Sequence, residues 1–343
     1  IMTKTHKIKI AKKKNIKLIM SFIKKHWDKN HIMGSDYNFF CYEFLKKKFV
    51  NFILAFSKKD KKLEAIQGFI PYGYKKGAHV CGSITCVTKQ SKSPYLGLET
   101  MKTMLRLSKP KTYCGIGTNP KTMLPLVKKY FKRHVGLMDH FYILNSNIKI
   151  FKIAKIFYKS YLGRKINQNN QLILKEINDF KFLKNNFNFK KNYKNFPIKN
   201  ISFIKKRYFE HPIYNYLCYG IFNEKLSLIS FLIARENTYK KSKILSIVDF
   251  RGNPNNLGRI SFDLIKILER NNYEYIDILC SGLKEKYLRS SGFIRKENDK
   301  IIIPNYFDPF IKKNVEIWYE KSDKNLILFK GDADADRPRL KKN

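Results

Sequence analysis

The sequence predicts an α/β chain built as two tandem domains, each a mixed sheet flanked by helices. Three observations carry this expectation. Strand-length apolar runs alternate with helical stripes after an opening hairpin, which is the pattern of an α/β sheet of mixed direction. The order of those elements recurs about 160 residues further on, too long a period for a solenoid and so the mark of a duplicated domain. A chain of 343 residues is also long for one core and comfortable for two.

In the first half, 50–56 and 63–71 read as strands of a hairpin around the polar turn 57–62. Residues 80–88, rich in β-branched side chains, read as a further strand. The polar loop 89–95 then leads to Leu98, Met101 and Leu105, spaced along one face of a helix. A short strand follows at 113–117. Asn119-Pro120 opens a second helix, with proline at its first position and the stripe Met123, Leu126, Val127, Tyr130 and Phe131. The extended run 135–144 is expected to close the unit. The second half repeats the order: a hairpin at 216–222 and 226–234, a strand at 243–250, a Gly/Pro/Asn loop at 251–257, a helix at 262–268, a strand at 275–279 and a short helix at 284–290. Between the halves, 166–199 is rich in Asn, Lys and Phe with weak periodicity, and reads as a linker of which part packs. The expected division is therefore 1–165, a linker at 166–199, and 200–343.

Seventy basic residues against 27 acidic ones give a net charge of +43. Such an excess ordinarily argues for nucleic acid or an anionic membrane. Here the lysines are spread along the whole chain in company with Asn, Ile, Phe and Tyr, whereas a nucleic-acid surface concentrates Arg and Lys with aromatics on one element. No specific nucleic-acid partner is expected, but the charge still attracts phosphate-bearing small molecules. No apolar run approaches the roughly 18–20 residues of a membrane span, and the basic start lacks the apolar core of a secretory signal. A cytoplasmic protein is expected. The six cysteines, Cys41, Cys81, Cys86, Cys114, Cys218 and Cys280, form no CxxC pair and read as buried reduced thiols. Asp332, Asp334 and Asp336 alternate as in loops that surround a hard cation, but the Gly and distant Glu of a calcium loop are not in place. No metal is expected, and Asp336-Arg337 is read instead as docking back onto the folded chain behind a buried strand at 326–329.

The loop before the first long helix reads Lys92-Ser93-Pro94-Tyr95-Leu96-Gly97, and Asn119 follows the next strand. With the order hairpin, strand, loop, helix, strand, helix, this resembles the GNAT acyltransferase superfamily. In that superfamily the strand before the main helix splays from its neighbour. The loop after it, Arg/Gln-x-x-Gly-x-Gly/Ala, cradles the coenzyme A pyrophosphate with backbone amides, because a helix N-terminus favours an anion and glycine lets the backbone approach. Gly97 matches the last glycine of that pattern. Lys92 stands where Arg or Gln is usual, and Tyr95 where the first glycine is usual. The resemblance implies acetyl-CoA or another acyl-CoA as co-substrate, held by Ser83, Thr85 and Thr88 of the splayed strand and by Lys92, Tyr95, Leu96, Gly97 and Asn119. It also implies that Tyr130 protonates the leaving thiolate, although Tyr130 fits the apolar stripe as well. The loop 251–257 shows no Gly-x-Gly, so the second domain resembles the fold without the cofactor site and is assigned to acceptor binding.

Further segments are His26-Trp27, His31 and Asp36, then Arg207-Tyr208, His211-Pro212, Tyr214 and Tyr216, then Val248-Asp249-Phe250, the run 303–310 and the ending 330–338. Together they resemble two-domain acetyltransferase-like proteins of bacterial surface-polysaccharide loci. That resemblance implies acyl transfer to an amino sugar, carried on a nucleotide.

Such a transfer needs a neutral amine, a base, donors for the tetrahedral oxyanion and an acid for the thiolate. Candidate bases are His211, His26, His31, His140 and Asp249, histidine having a suitable pKa near neutrality. His211, Asp249 and Tyr130 are taken as the catalytic set, and His26, His31, Arg207, Tyr214 and Arg251 as substrate-binding. Each lone histidine also reads as a structural hydrogen-bonder, and His211 as a turn former beside Pro212. Asp249 interrupts an apolar strand and needs a partner such as Arg251 or Arg207, so an ion pair and a substrate contact both remain open. An aminoacyl-tRNA-dependent transferase and a non-catalytic pair that binds a sugar or a partner are the other function classes.

Overall fold

The computed structural model describes residues 5–73, 77–157, 171–191, 193, 195–296, 301–332 and 334–340. The first stretch of chain forms β1 (His6–Lys12), α1 (Ile16–His26), α2 (Ile32–Ser35), α3 (Tyr37–Phe44), β2 (Leu45–Lys46), β3 (Phe49–Ser57), β4 (Leu63–Pro71), β5 (Val80–Val87), α4 (Leu96–Ser108), β6 (Tyr113–Ile116), α5 (Met123–Phe131) and β7 (His134–Leu137). Then come β8 (Asp139–Leu144), β9 (Lys155–Ile156), β10 (Ile173–Glu176), α6 (Phe180–Asn186), α7 (Ile201–Ile204), β11 (Leu217–Phe222), β12 (Leu228–Tyr239) and β13 (Ser242–Arg251). The last are α8 (Ser261–Arg270), β14 (Tyr273–Ser281), α9 (Glu285–Ser290), β15 (Ile294–Arg295), β16 (Ile301–Ile302), β17 (Trp318–Lys321) and β18 (Leu328–Phe329). These elements make two units, each discontinuous in sequence: Ile1–Val135 with Tyr319–Asp323 and Arg337–Asn343, and Gly136–Trp318 with Lys324–Asp336.

The first unit has a mixed sheet in the order β1-β3-β4-β5-β6-β17-β7, with β2 beside β3. The ladders from β1 to β5 are antiparallel, β5 and β6 are parallel, and β17 is antiparallel to β6. Helix α1 forms because Ile16, Ile19, Met20 and Ile23 recur along one face and are buried there. Helices α2 and α3 start at side-chain caps: Met33 N–H donates to His31 Nδ1, and Phe39 N–H to Asp36 Oδ1. Their apolar residues, among them Phe39, Phe40 and Phe44, pack with Val50, Phe52, Leu54 and Ile66 of the sheet.

The second unit repeats this architecture, with its sheet in the order β10-β11-β12-β13-β14-β8-β15. Here β10 to β13 are antiparallel, β13 and β14 parallel, and β8 antiparallel to β14. Leu264 and Leu268 of α8 join Leu245, Ile247, Ile276 and Ile278 of the sheet in one core. Both units are mixed α/β sheets flanked by helices, as the sequence predicts.

Two expectations change. The run 135–144 does not close the first unit. Its strand β8 pairs with β14, from Leu144 opposite Tyr275 to Asp139 opposite Cys280, and Phe141 and Ile143 enter the second core. The equivalent seat in the first sheet is taken by β17, from a remote part of the chain. Sequence-neighbouring strands pair only roughly two-thirds of the time, and here that default fails twice in a reciprocal way. The expected linker 166–199 is also part of the second unit from residue 171 onward. Strand β10 supplies its edge, and Leu172, Leu174, Leu183, Phe187 and Phe196 are buried. Residues 166–170 lie outside the described residues.

Phe141→Ala should therefore weaken the second unit, by roughly 3–5 kcal/mol for a buried Phe truncation. Hydrogen exchange should quicken along 275–280 and stay slow along 63–71 and 80–87. Faster exchange in the latter segments instead would contradict the strand assignment.

Candidate functional site

In the first unit β5 and β6 run parallel for two rungs, Val80 beside Tyr113 and Cys81 beside Cys114, and then part. Along its other edge β5 bulges: Gln67 pairs with Thr85 and Phe69 with Gly82, so Ser83 and Ile84 together face Gly68. A bulge bends its strand and turns backbone groups out of the ladder. Glycines make the room. A Cβ on Gly68 would stand 2.9 Å from Phe52 Cζ, and one on Gly82 would stand 2.0 Å from Tyr113 Oη. Beyond the rungs, β5 carries amides that β6 does not engage, the kind of donor an oxyanion requires. Thr85 Oγ1 donates to Gln67 Oε1 at 2.7 Å. Thr88 Oγ1 is buried with no hydrogen-bond partner among the described residues.

The loop after β5 leads into α4, thirteen residues long, whose N-cap Tyr95 offers the first turn no side-chain acceptor. The N-terminal amides and dipole of such a helix favour an anion. Lys92 is exposed nearby in sequence, Leu96 is buried, and a Cβ on Gly97 would meet only Val87 Cγ2, at 3.4 Å. The chain's own packing thus does not demand glycine at 97. Tyr130 is not in the core: α5 buries Leu124 and Val127, while Tyr130 is 41% exposed. Its ring meets that of Tyr95 edge-on at 5.8 Å. A hydrogen bond between the two hydroxyls raises the Tyr95 pKa. Asn119 Oδ1 accepts from the N–H groups of Lys121 and Thr122, which starts the chain toward α5.

His26 lies at the end of α1 with its ring tilted on Phe22, and its pKa is lowered by burial and then by Lys25. His31 is pushed down to about 4, first by burial and then by Arg337, so it is a neutral and weak base at neutral pH. Arg337 was not among the expected site residues. Its Nη2 donates to Ser83 Oγ at 3.2 Å, on the bulge itself, and lies 3.6 Å from Glu43 Oε2.

The second-unit candidates are held inside. Asp249 is 2% exposed; it accepts Lys199 Nζ on both oxygens at 2.6 Å and the Tyr208 hydroxyl at 2.7 Å. Lys199 also reaches Asp332 Oδ1 at 2.5 Å. The ion-pair reading of Asp249 therefore holds, with Lys199 in place of the expected Arg251 or Arg207. Arg251 donates to Pro197 O, and Arg207 to Asp336 O. The Asp336 carboxylate takes Arg235 at 2.7 Å and Tyr216 Oη at 2.8 Å, and Arg235 and Lys330 hold its pKa far below the usual range against the cost of burial. His211 Nδ1 accepts from the N–H groups of Ile213 and Tyr214, the turn-forming role, and its ring stacks on Tyr214. The Tyr214 hydroxyl donates to Asp308, and Arg235 lies over its ring. Asp332 and Asp336 thus pair with separate cationic side chains, Lys199 and Arg235. No single sequence signal marks Lys199, but the charge in the apolar strand at Asp249 did mark its partner.

Strands β13 and β14 also part, after Ile247 beside Ile278, and β13 bulges at Val248. There the gap is occupied. Cys280 pairs with Asp139 of β8 on one side and with Phe329 of β18 as well, so β18 runs along the edge that β13 leaves. Gly331 follows so closely that a Cβ would stand 2.7 Å from Val248 O. In the first unit the neighbours of β6 are β5 and β17, and no described strand takes the corresponding place.

No protein-family model and no curated protein matches the chain. Among solved structures it is similar to a GCN5-related N-acetyltransferase from Anabaena variabilis ATCC 29413, at 12% identity and a TM-score of 0.55, over 92% of this chain and 72% of that one. It is also similar to a conserved protein of unknown function from Enterococcus faecalis V583 (Probable N-Acyltransferase), at 9% identity and a TM-score of 0.56, over 92% and 72%. At these identities the likeness is one of fold, that of tandem GNAT-type domains. No described helix is long and apolar enough to cross a membrane.

Lys199→Met should destabilise the second unit by roughly 3–5 kcal/mol, the effect of breaking a buried pair. Asp332, pushed up to about 6 mainly by burial, would then lose the cation that opposes that shift. Protonation of Asp332 at low pH relieves the loss, so the fall in melting temperature should be larger at pH 8 than at pH 5. An equal loss at both would refute the pairing.

Proposed function

We propose that the chain is an acyl-CoA-dependent N-acyltransferase whose coenzyme site lies in the first unit, and whose acceptor is an amino sugar, carried on a nucleotide, of bacterial surface-polysaccharide synthesis. The observation that carries the coenzyme assignment is the contrast between the copies: β5 and β6 part around a bulge with nothing strand-like between them, whereas β18 and Gly331 occupy the same place beside β13. In this reading the backbone of 83–87 stabilises the oxyanion, and the start of α4 at Leu96 and Gly97 receives the pyrophosphate. Thr88 Oγ1, a buried hydroxyl without a partner among the described residues, and exposed Lys92 and Asn119 support the coenzyme further. Tyr130, paired with Tyr95, hands a proton to the thiolate. The sugar is drawn to the first unit, near His26 and His31, because the polar groups of Asp249, Arg207, Arg251 and Tyr214 answer other groups of the second unit. The net positive charge favours phosphate-bearing substrates of both kinds.

Calorimetry with acetyl-CoA should give one site per chain, and ligand at 100 times Kd should add about 2.7 kcal/mol of stability. Gly97→Val should weaken acetyl-CoA at least about tenfold, the effect of losing ~1.4 kcal/mol, without lowering the melting temperature of the free protein. Two sites per chain, or an unchanged affinity in the variant, would move the coenzyme elsewhere. A UDP-linked amino sugar that is not acylated, beside another amine that is, would keep the activity and discard the sugar.

A further inference from the structure

The geometry points to Glu320 as the group that accepts the proton of the acceptor amine in the first unit, an assignment that rests on the acyltransferase reading above. Strand β17 places Glu320 opposite Gly115, the first residue of β6 beyond its last rung with β5. The carboxyl group therefore stands where the two strands part. A Cβ on Gly115 would lie 3.1 Å from Glu320 Oε1 and 3.1 Å from Thr118 Oγ1, so the bare glycine makes room for it.

A structural ion pair does not account for this side chain. Glu320 is 2% exposed, and its Oε2 has no hydrogen-bond partner among the described residues. The nearest cation, Arg133, stands with Nε 4.0 Å from that oxygen, and this Nε is likewise without a hydrogen-bond partner there. The guanidinium lies instead over the Tyr113 ring, 4.4 Å from its centroid. Buried pairs that serve stability close to hydrogen-bond distance and satisfy both ends. Burial pushes the Glu320 carboxyl up to about 7, with Arg133 acting in the other direction. Tyr113 on the same sheet feels Glu320 directly, and it also feels Cys81, Arg133 and Cys114.

The duplication gives an independent observation. In the second unit the last parallel rung is Ile247 beside Ile278, and the next residue of β14, Leu279, lies opposite His140 of β8. Glu320 and His140 thus hold the same seat in the two copies. In the filled copy His140 Nε2 is tied to Asp277 Oδ2 at 2.8 Å. In the other copy Glu320 has kept an oxygen without such a tie.

The amine nitrogen attacks the thioester carbonyl carbon and forms the C–N bond, and the oxygen takes up negative charge at the amides of β5. The nitrogen's proton passes to the Glu320 carboxylate. Collapse breaks the C–S bond, and the departing thiolate takes a proton from Tyr130. Glu320 then returns its proton to solvent, and Tyr130 regains one. The products are the amide and the free thiol.

The test follows acetyl-CoA and a UDP-linked amino sugar as a function of pH. Glu320→Gln should lower kcat at least about 100-fold, the usual scale of general-base catalysis, and leave KM for acetyl-CoA within about twofold. The loss of rate in the wild type below pH about 7 should vanish in the variant, and its melting temperature at pH 8 should be equal or higher, because a charge that burial disfavours is gone. Glu320→Asp should recover part of the rate. A Glu320→Gln rate within threefold of wild type, an unmoved acid limb, or a melting temperature that falls in step with activity would each overturn the assignment. A wild-type chain that does not bind acetyl-CoA would sink the acyltransferase reading and this inference with it. Binding and turnover with an unaltered Glu320→Gln profile would sink this inference alone.

Discussion

Two parallel strands that part leave backbone N–H and C=O groups facing a gap too wide for a ladder, and each of those groups still needs a partner. The chain meets this constraint twice. In the second unit it answers with its own backbone, laying Leu328 and Phe329 along β14 and pressing Gly331 against the Val248 carbonyl. In the first unit no described strand does so. The bulge at Ser83 and Ile84 and the glycines at 68 and 82 lie along the stretch of β4 and β5 beside that parting.

Filling the second gap has electrostatic consequences. The segment that fills it carries Lys330, Asp332 and Asp336 into the interior, and these meet Lys199, Asp249, Arg207 and Arg235. Charges removed from water are tolerable only when paired and hydrogen-bonded, which is why nearly every polar side chain of the neighbourhood answers another one. The scarce acids of the chain are drawn inward by this need. Asp249, Glu274, Asp277, Glu320, Asp332 and Asp336 are all buried. Among the described residues seven lysines and arginines are buried as well, so the positive excess stays at the surface, where it attracts phosphate-bearing molecules.

Much of the fold was legible. The strands of both hairpins, the two strands after each, and the helices α4, α5, α8 and α9 stand near the places their periodicity gives, because each buries one face locally. What failed was partner choice. Nothing in Phe141 or Ile143 says which of two similar sheets will bury it, since both offer the same apolar seat. Helices α1 to α3 passed unread although Ile16, Ile19, Met20 and Ile23 are spaced as a stripe, because lysines crowd between them. Among the candidate residues, Ser83 and Gly97 are named from local patterns alone. Tyr130 also reads as core from its place in an apolar stripe, and it is exposed because an exposed tyrosine can continue such a stripe. Lys199, Arg337 and Glu320 were missed because their meaning lies in contacts with residues 50 or more positions away.

The trade of strands between the halves also governs how the chain can be made. Synthesis is vectorial, and β6 emerges about 200 residues before the strand that covers its edge. At ~5–20 residues per second this is a delay of roughly 10–40 s, during which a nascent first sheet carries an open edge of the kind that invites wrong pairing. The second sheet has no such wait for β8, which is already out when β14 appears. The pairing of β8 with β14 can thus form before β17 reaches the first sheet.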